Sequence, residues 1–269
     1  KPKGILNIFG QRGHHWEETF WQLLCRTFGA KVNSDAFENL AQIIPFKLLA
    51  RHKNNLLQLE ALLLGGAHLL PHSPSDDYSS LLIREFHFLQ SKYNLQPIHF
   101  PVHFLRMRPQ NFPTIRLAQL GALIHQTEHL FSKILQAKEV NNVIQALNVT
   151  ASHYWNEHYR PGEASTPAPK KLGTQMIGNI IINCVIPTLF AYGLYHRNEA
   201  PKEKAVAWLQ QMGPETNTIT KGFTNISIAN TTAFDSQALI ELKNEYCHHR
   251  RCLDCAVGNA LLKQWNKQD

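Results

Sequence analysis

Apolar side chains recur every three to four positions along most of the chain. Trp16, Phe20, Leu23, Leu24 and Phe28 share one face of a helix that stops at Gly29, the residue type that most readily ends one. Asn33 and Ser34 read as caps for a second helix carrying Phe37, Leu40, Ala41 and Ile44, and Pro45 restarts the pattern. Asn54 or Asn55 opens a third over 56–64, closed by Gly65-Gly66. Ser75-Asp76-Asp77 opens a fourth that runs to Tyr93 with Leu81, Leu82, Phe86 and Leu89 inward. Residues 96–107 hold strand-forming side chains but also Pro97 and Pro101, which predicts an extended crossing.

Pro113 suits a first helical position, and Ile115, Leu117, Leu120, Leu123 and Ile124 follow at helical spacing. Further helices are expected at 127–136, 139–147, 150–158, 174–196, 201–212, 235–246 and 253–265, with a less regular stretch to about 230. Residues 161–171, rich in Pro, Ser and Thr, read as a loop or linker. No alternating strand series and no internal repeat is present. The pattern predicts an all-α fold, an irregular multi-helix bundle. Its halves, 1–160 and 172–269, form either two helical subdomains joined near 161–171 or one continuous domain.

Composition narrows the class. Hydrophobic residues make up 43% of the 269 and charged residues only 17%, which excludes a disordered tail or a solvated coiled coil. The longest apolar stretch, 177–195, is interrupted by Asn179, Asn183 and Pro187, so a membrane span is not the default expectation. Five Cys, three of them near the end, are not the arithmetic of a secreted disulfide scaffold. The chain starts Lys1-Pro2-Lys3 with no signal-peptide pattern, and is read as a processed chain or fragment located in the cytoplasm.

Charge brings in a partner. Lys and Arg number 27 against 20 Asp and Glu, net +7. No acid occurs from 86 to 127 or from 164 to 198, while Lys92, Arg106, Arg108, Arg116, Lys170, Lys171 and Arg197 lie in those spans. If they converge with Arg250 and Arg251, the guanidinium groups make a groove for the phosphates of DNA or RNA. Scattered cations on amphipathic helices are the bland alternative. Trp155, His158, Tyr159 and Arg160 form an aromatic and basic cluster that could stack a base, although a core role is the commoner fate of such aromatics.

Cys247, Cys252 and Cys255 make a C-x4-C-x2-C arrangement that could turn three thiolates onto one centre. A structural zinc would need a fourth ligand from His248, His249 or Cys184, and an iron–sulfur cluster would need a further Cys. Plain packing of small apolar side chains is the alternative. Asp235, Glu241 and Lys243 superficially spell a nuclease string, but on a helix Glu241 and Lys243 sit about 200° apart and face away from each other. No Walker loop, G-x-G-x-x-G, G-x-S-x-G or H-E-x-x-H occurs, so no catalytic residue is named and enzyme activity stays open.

Several strings together resemble one family. They include 16–20 (WEETF), 55–63 (NLLQLEALL), 108–120 (RPQNFPTIRLAQL), 186–193 (IPTLFAYG) and 235–239 (DSQAL), leading into Cys247, 251–255 (RCLDC) and Gly258-Asn259. The chain is similar over nearly all its length to the uncharacterised bacterial domain-of-unknown-function family 2851. That resemblance names no activity. It implies that family members carry an additional N-terminal, strand-rich portion similar to a restriction-endonuclease core. This chain would then be the helical C-terminal part, with the missing portion as a partner. The leading expectation is a non-catalytic nucleic-acid-binding module. Its rival is a protein-interaction scaffold, for which Trp21, Phe104 or Trp208 should form an exposed apolar patch; a metal- or cluster-binding protein is the third.

Overall fold

A computed structural model describes residues 2–265 apart from positions 12, 14, 75, 97, 106 and 128. Helix dominates the described residues, as the all-α pattern predicts. The chain gathers into two compact units, Lys1–Lys202 and Glu203–Asp269.

In the first unit the helices are α1 (Pro2–Gln11), α2 (Trp16–Phe28), α3 (Ala30–Ile43), α4 (Phe46–Arg51), α5 (Leu56–Gly66), α6 (Asp77–Tyr93), α7 (Pro113–Gln126), α8 (Leu130–Gln136) and α9 (Val140–Leu147). A short hairpin, β1 (His158–Arg160) and β2 (Glu163–Ala164), precedes α10 (Thr174–Ile180) and α11 (Ile186–Tyr195). The last two join through a π-helical turn, Ile181–Val185, into one continuous helix.

The centre of this unit is α5, which packs against α6 and α7. Its N-cap is Asn55, whose side chain accepts the Gln58 N–H at 3.1 Å. Leu59, Leu62, Leu63 and Leu64 are fully buried; removing each from water contributes roughly 2 kcal/mol. Every residue from Leu59 to Gly66 is buried, so α5 has no polar face. A Cβ at Gly65 would run into the Phe86 ring, and glycine there lets α5 and α6 approach closely. Asp76 caps α6 by accepting from the Ser79 N–H, and Pro113 occupies the first turn of α7.

The continuous helix Thr174–Tyr195 is long and apolar enough by composition to cross a membrane, but 67% of its most apolar window is buried in the unit. Its Ile180, Ile181, Cys184, Val185 and Leu189 are core residues. α1, which lies ahead of the first helix read from the sequence, packs on α11, with Ile5 and Phe9 buried.

Three sequence expectations change. The break at Asn33 exists, but as a kink inside α3, because the Asn33 amide pairs with the His103 backbone in both directions, at 2.9 and 2.8 Å. The helix expected at 150–158 is a 3-10 turn, His153–Glu157, followed by β1. Residues 161–171 are built into the first unit: they supply the hairpin turn and β2, a bridge pairs Thr150 with Lys171, and Lys170 is buried.

α12 (Glu199–Gln211) leads into the second unit, which adds α13 (Thr218–Thr224), α14 (Ala233–Glu241), a π-helical turn (Leu242–Cys247) and α15 (Ala256–Trp265). Asn217 caps α13, where the sequence reads as irregular. Trp208, Ala205, Ala233 and Leu239 form the small core. The Ser236 hydroxyl accepts the Glu215 N–H at 2.8 Å and donates to Asn230 at 2.7 Å.

Candidate functional site

The extended segment before α7 ends in a 3-10 turn, Pro109–Asn111. Two side chains of α7 fasten that region to a chain segment some fifty residues further on. The Thr114 hydroxyl donates to the Tyr159 carbonyl. The Gln119 amide donates to the carbonyls of Lys170 at 3.2 Å and Lys171 at 3.1 Å. Both acid-free stretches of the sequence therefore meet at α7. Around them stand Phe104, Phe112 and Tyr159, with ring centroids 5.1 Å apart for the first pair and 6.3 Å for the second.

Cations lie on these rings. The Arg160 guanidinium sits 4.2 Å from the Phe104 centroid and 5.3 Å from that of Phe112. Lys170 Nζ lies 4.1 Å from the Tyr159 centroid and donates to the carbonyls of Asn156 and Ala168, at 3.1 and 3.0 Å. Lys170 is thus a structural cation, spent inside the fold. Lys171 and Arg108 are exposed and have no ion-pair partner among the described residues.

The five sequence-nominated arginines divide. Arg108 and Arg116 belong to the first unit, Arg250 and Arg251 to the second, and Arg106 lies outside the described residues. Arg116 is half-buried and turned to neutral acceptors, Asn111 at 2.6 Å and Gln119 at 3.0 Å; burial pulls its pKa below the usual arginine value. Arg251 is held by Asp254 at 3.1 Å and stacks over Tyr246, so a carboxylate already neutralises it. Arg250 is exposed, in a left-handed backbone conformation. Of the original set, Arg108 and Arg250 have no ion-pair partner among the described residues; Lys171 joins them, while Arg160 has a long contact to Glu163 at 3.5 Å.

The cysteine turn does not assemble as expected. Cys247 and Cys252 are exposed and Cys255 is buried. Cys255 sits just ahead of α15, with its N–H directed back to the Cys252 carbonyl at 3.3 Å. Among the described residues no three His, Cys, Asp or Glu side chains gather closely enough to hold a metal ion. As placed, the three thiols do not converge on one centre. Cys184, the distant candidate ligand, is fully buried in the first unit, and burial pushes its thiol pKa up.

A buried polar cluster went unnoticed in the sequence. Glu60, at the middle of α5, is 0% exposed. Its Oε2 accepts from the Trp155 indole at 2.8 Å and the Tyr78 hydroxyl at 3.0 Å. Its Oε1 has no hydrogen-bond partner among the described residues, nor has the Ser152 hydroxyl. That hydroxyl lies near enough to act on the carboxyl electrostatically, although it falls short of hydrogen-bond geometry. Burial raises the Glu60 pKa against the opposing pull of Trp155, Ser152 and Tyr78. Above it Tyr154 stacks on Tyr78 and His158 and donates to Asp76 at 2.7 Å. Trp155 and Tyr154 thus serve the core. A lone acid in the apolar run of α5 was the available signal; its partners at 78, 152 and 155 were too distant in sequence to read.

Fold and charge define a basic helical protein with no metal-ligand cluster among its described residues. The chain belongs to the family described as "Protein of unknown function (DUF2851)", whose model matches residues 1–218. The match spans the first unit and stops ahead of the cysteine turn. No curated protein and no solved structure matches the chain.

Proposed function

We propose that this chain is a helical module that binds the phosphate backbone of DNA or RNA through the basic face beside α7. The observation that carries the reading is the junction at Gln119, which draws two acid-free segments together. Arg108 and Lys171 are exposed residues of these two segments, and Arg160 rests on Phe104 and Phe112 of the first. Contacts of this kind carry affinity and register but little base information. They also make binding fall steeply with salt, because each neutralised phosphate releases condensed counterions. Arg116, turned to the neutral acceptors Asn111 and Gln119, would not contribute.

The test is an anisotropy titration with labelled single-stranded and duplex oligonucleotides. Binding at about 50 mM salt, weakening progressively towards about 200 mM, supports the module. Absence of binding to either at about 50 mM removes it.

One observation favours the interaction-scaffold alternative. Val257 and Leu261, one turn apart on α15, are 55% and 62% exposed, and Leu253 before them is 73% exposed. Of the anchors expected for that reading, Trp21 and Trp208 are each only 2% exposed, and Phe104 is half-buried with the Arg160 guanidinium over its ring. Light scattering that stays monomeric across concentration, together with no loss of any protein partner on Leu261→Glu substitution, would dispose of it.

A further inference from the structure

Arg160 lies stacked against two aromatic rings. Its guanidinium rests 4.2 Å from the Phe104 centroid, and Phe112 stands edge-on to that ring at 5.1 Å. Stacking of this kind fixes the plane of the guanidinium and leaves its N–H edges free to donate. Among the described residues Arg160 Nε is buried without a hydrogen-bond partner. The charge partner present is Glu163, whose Oε1 lies 3.5 Å from Nη1, the outer limit of a hydrogen bond. The two side chains are 40% and 64% exposed, so solvent screens the pair.

The hairpin explains the long contact. Arg160 and Glu163 are register partners across the Pro161-Gly162 turn, with Gly162 at φ 76°. A carboxylate tethered through so short a turn meets the guanidinium through one nitrogen at the distance limit. A free phosphodiester has no such tether and can set two oxygens against the planar fork.

We infer that Arg160 is the anion-contacting residue of the basic face and that Glu163 occupies its place in the free protein, as an intramolecular competitor that a nucleic-acid phosphate displaces. The inference rests on the nucleic-acid reading above. Glu163 then lowers affinity by holding the best-organised cation on that face, and neutralising it releases Arg160. Glu157 is the other exposed acid of this turn region; it forms no ion pair with Arg160.

The test is a double-mutant cycle read by anisotropy with a labelled oligonucleotide at fixed low salt. The variants are Glu163→Gln, Arg160→Gln and both together, with circular dichroism confirming that each is folded. Glu163→Gln should tighten binding about threefold, the scale of an exposed ion pair. Arg160→Gln should weaken it and flatten the salt dependence by about one contact. In the Arg160→Gln background the Glu163 substitution should change nothing, since its effect requires the arginine. Equal gains in both backgrounds would overturn the inference, as would a wild type that binds while Glu163→Gln binds no tighter. If neither the wild type nor any variant binds, the module reading falls and takes this inference with it.

Discussion

Replacing Glu60 by Gln tests the buried cluster through its pH dependence. The native carboxyl is fully buried and has no salt bridge among the described residues, and desolvation raises its pKa. Its folded pKa therefore lies above the unfolded value of about 4.3. The sign follows directly. Below the unfolded pKa both states carry the proton and the carboxyl imposes no penalty. As pH rises towards the folded pKa, the unfolded chain releases the proton and the native state retains it, so native stability declines. In that window the decline approaches about 1.4 kcal/mol per pH unit, and it levels off once the native state also ionises. Glutamine keeps an acceptor for Trp155 and Tyr78 and offers an N–H to the unpartnered Ser152 hydroxyl. It has no proton to lose. Urea unfolding of wild type and Glu60→Gln at half-unit steps from pH 4 to pH 8 should show near-equal stability at the acid end and a growing advantage for the variant above it. A difference that stays flat with pH, or that favours the wild type increasingly, would refute the reasoning.

Asn33→Ala removes both hydrogen bonds to His103 from a side chain that is only 2% exposed; it should cost about 1–3 kcal/mol in denaturant unfolding and speed hydrogen exchange of the His103 amide. A disulfide-exchange reagent should label Cys247 and Cys252 rapidly in the native protein and reach Cys25, Cys184 and Cys255 only after unfolding. For Cys25, burial and the neighbouring Cys184 both push the thiol pKa up, adding to its protection. Fast labelling of four or five thiols would contradict the placement of the buried three.

Caps made much of the helical frame legible. Asn55, Asp76 and Pro113 each mark a helix start in the sequence and do so in the structure. α1 escaped because no cap residue marks its start, although Ile5 and Phe9 lie one turn apart on its buried face. Residues 150–158 read as helix because local periodicity allowed it. A buried Trp155 bonded to a carboxyl 95 residues away, with Pro161 just beyond, gives a tight turn and a strand instead. The basic face was half legible. Acid-free stretches are visible in sequence, but the amide of Gln119 that joins them is an unremarkable polar residue on a helix. Which arginines are spent depended on near neighbours: Asp254, three residues after Arg251, was readable, whereas the inward turn of Arg116 follows from the packing of α7.

The salt dependence of nucleic-acid binding, compared between wild type and Arg108→Ala/Lys171→Ala, probes the basic face most directly. With Arg108, Arg160 and Lys171 each meeting one duplex phosphate, wild-type affinity should fall about 40-fold between about 50 and about 200 mM salt, and the double variant only about fourfold. Identical slopes for the two proteins, or an affinity indifferent to salt, would contradict the face beside α7 as the binding surface.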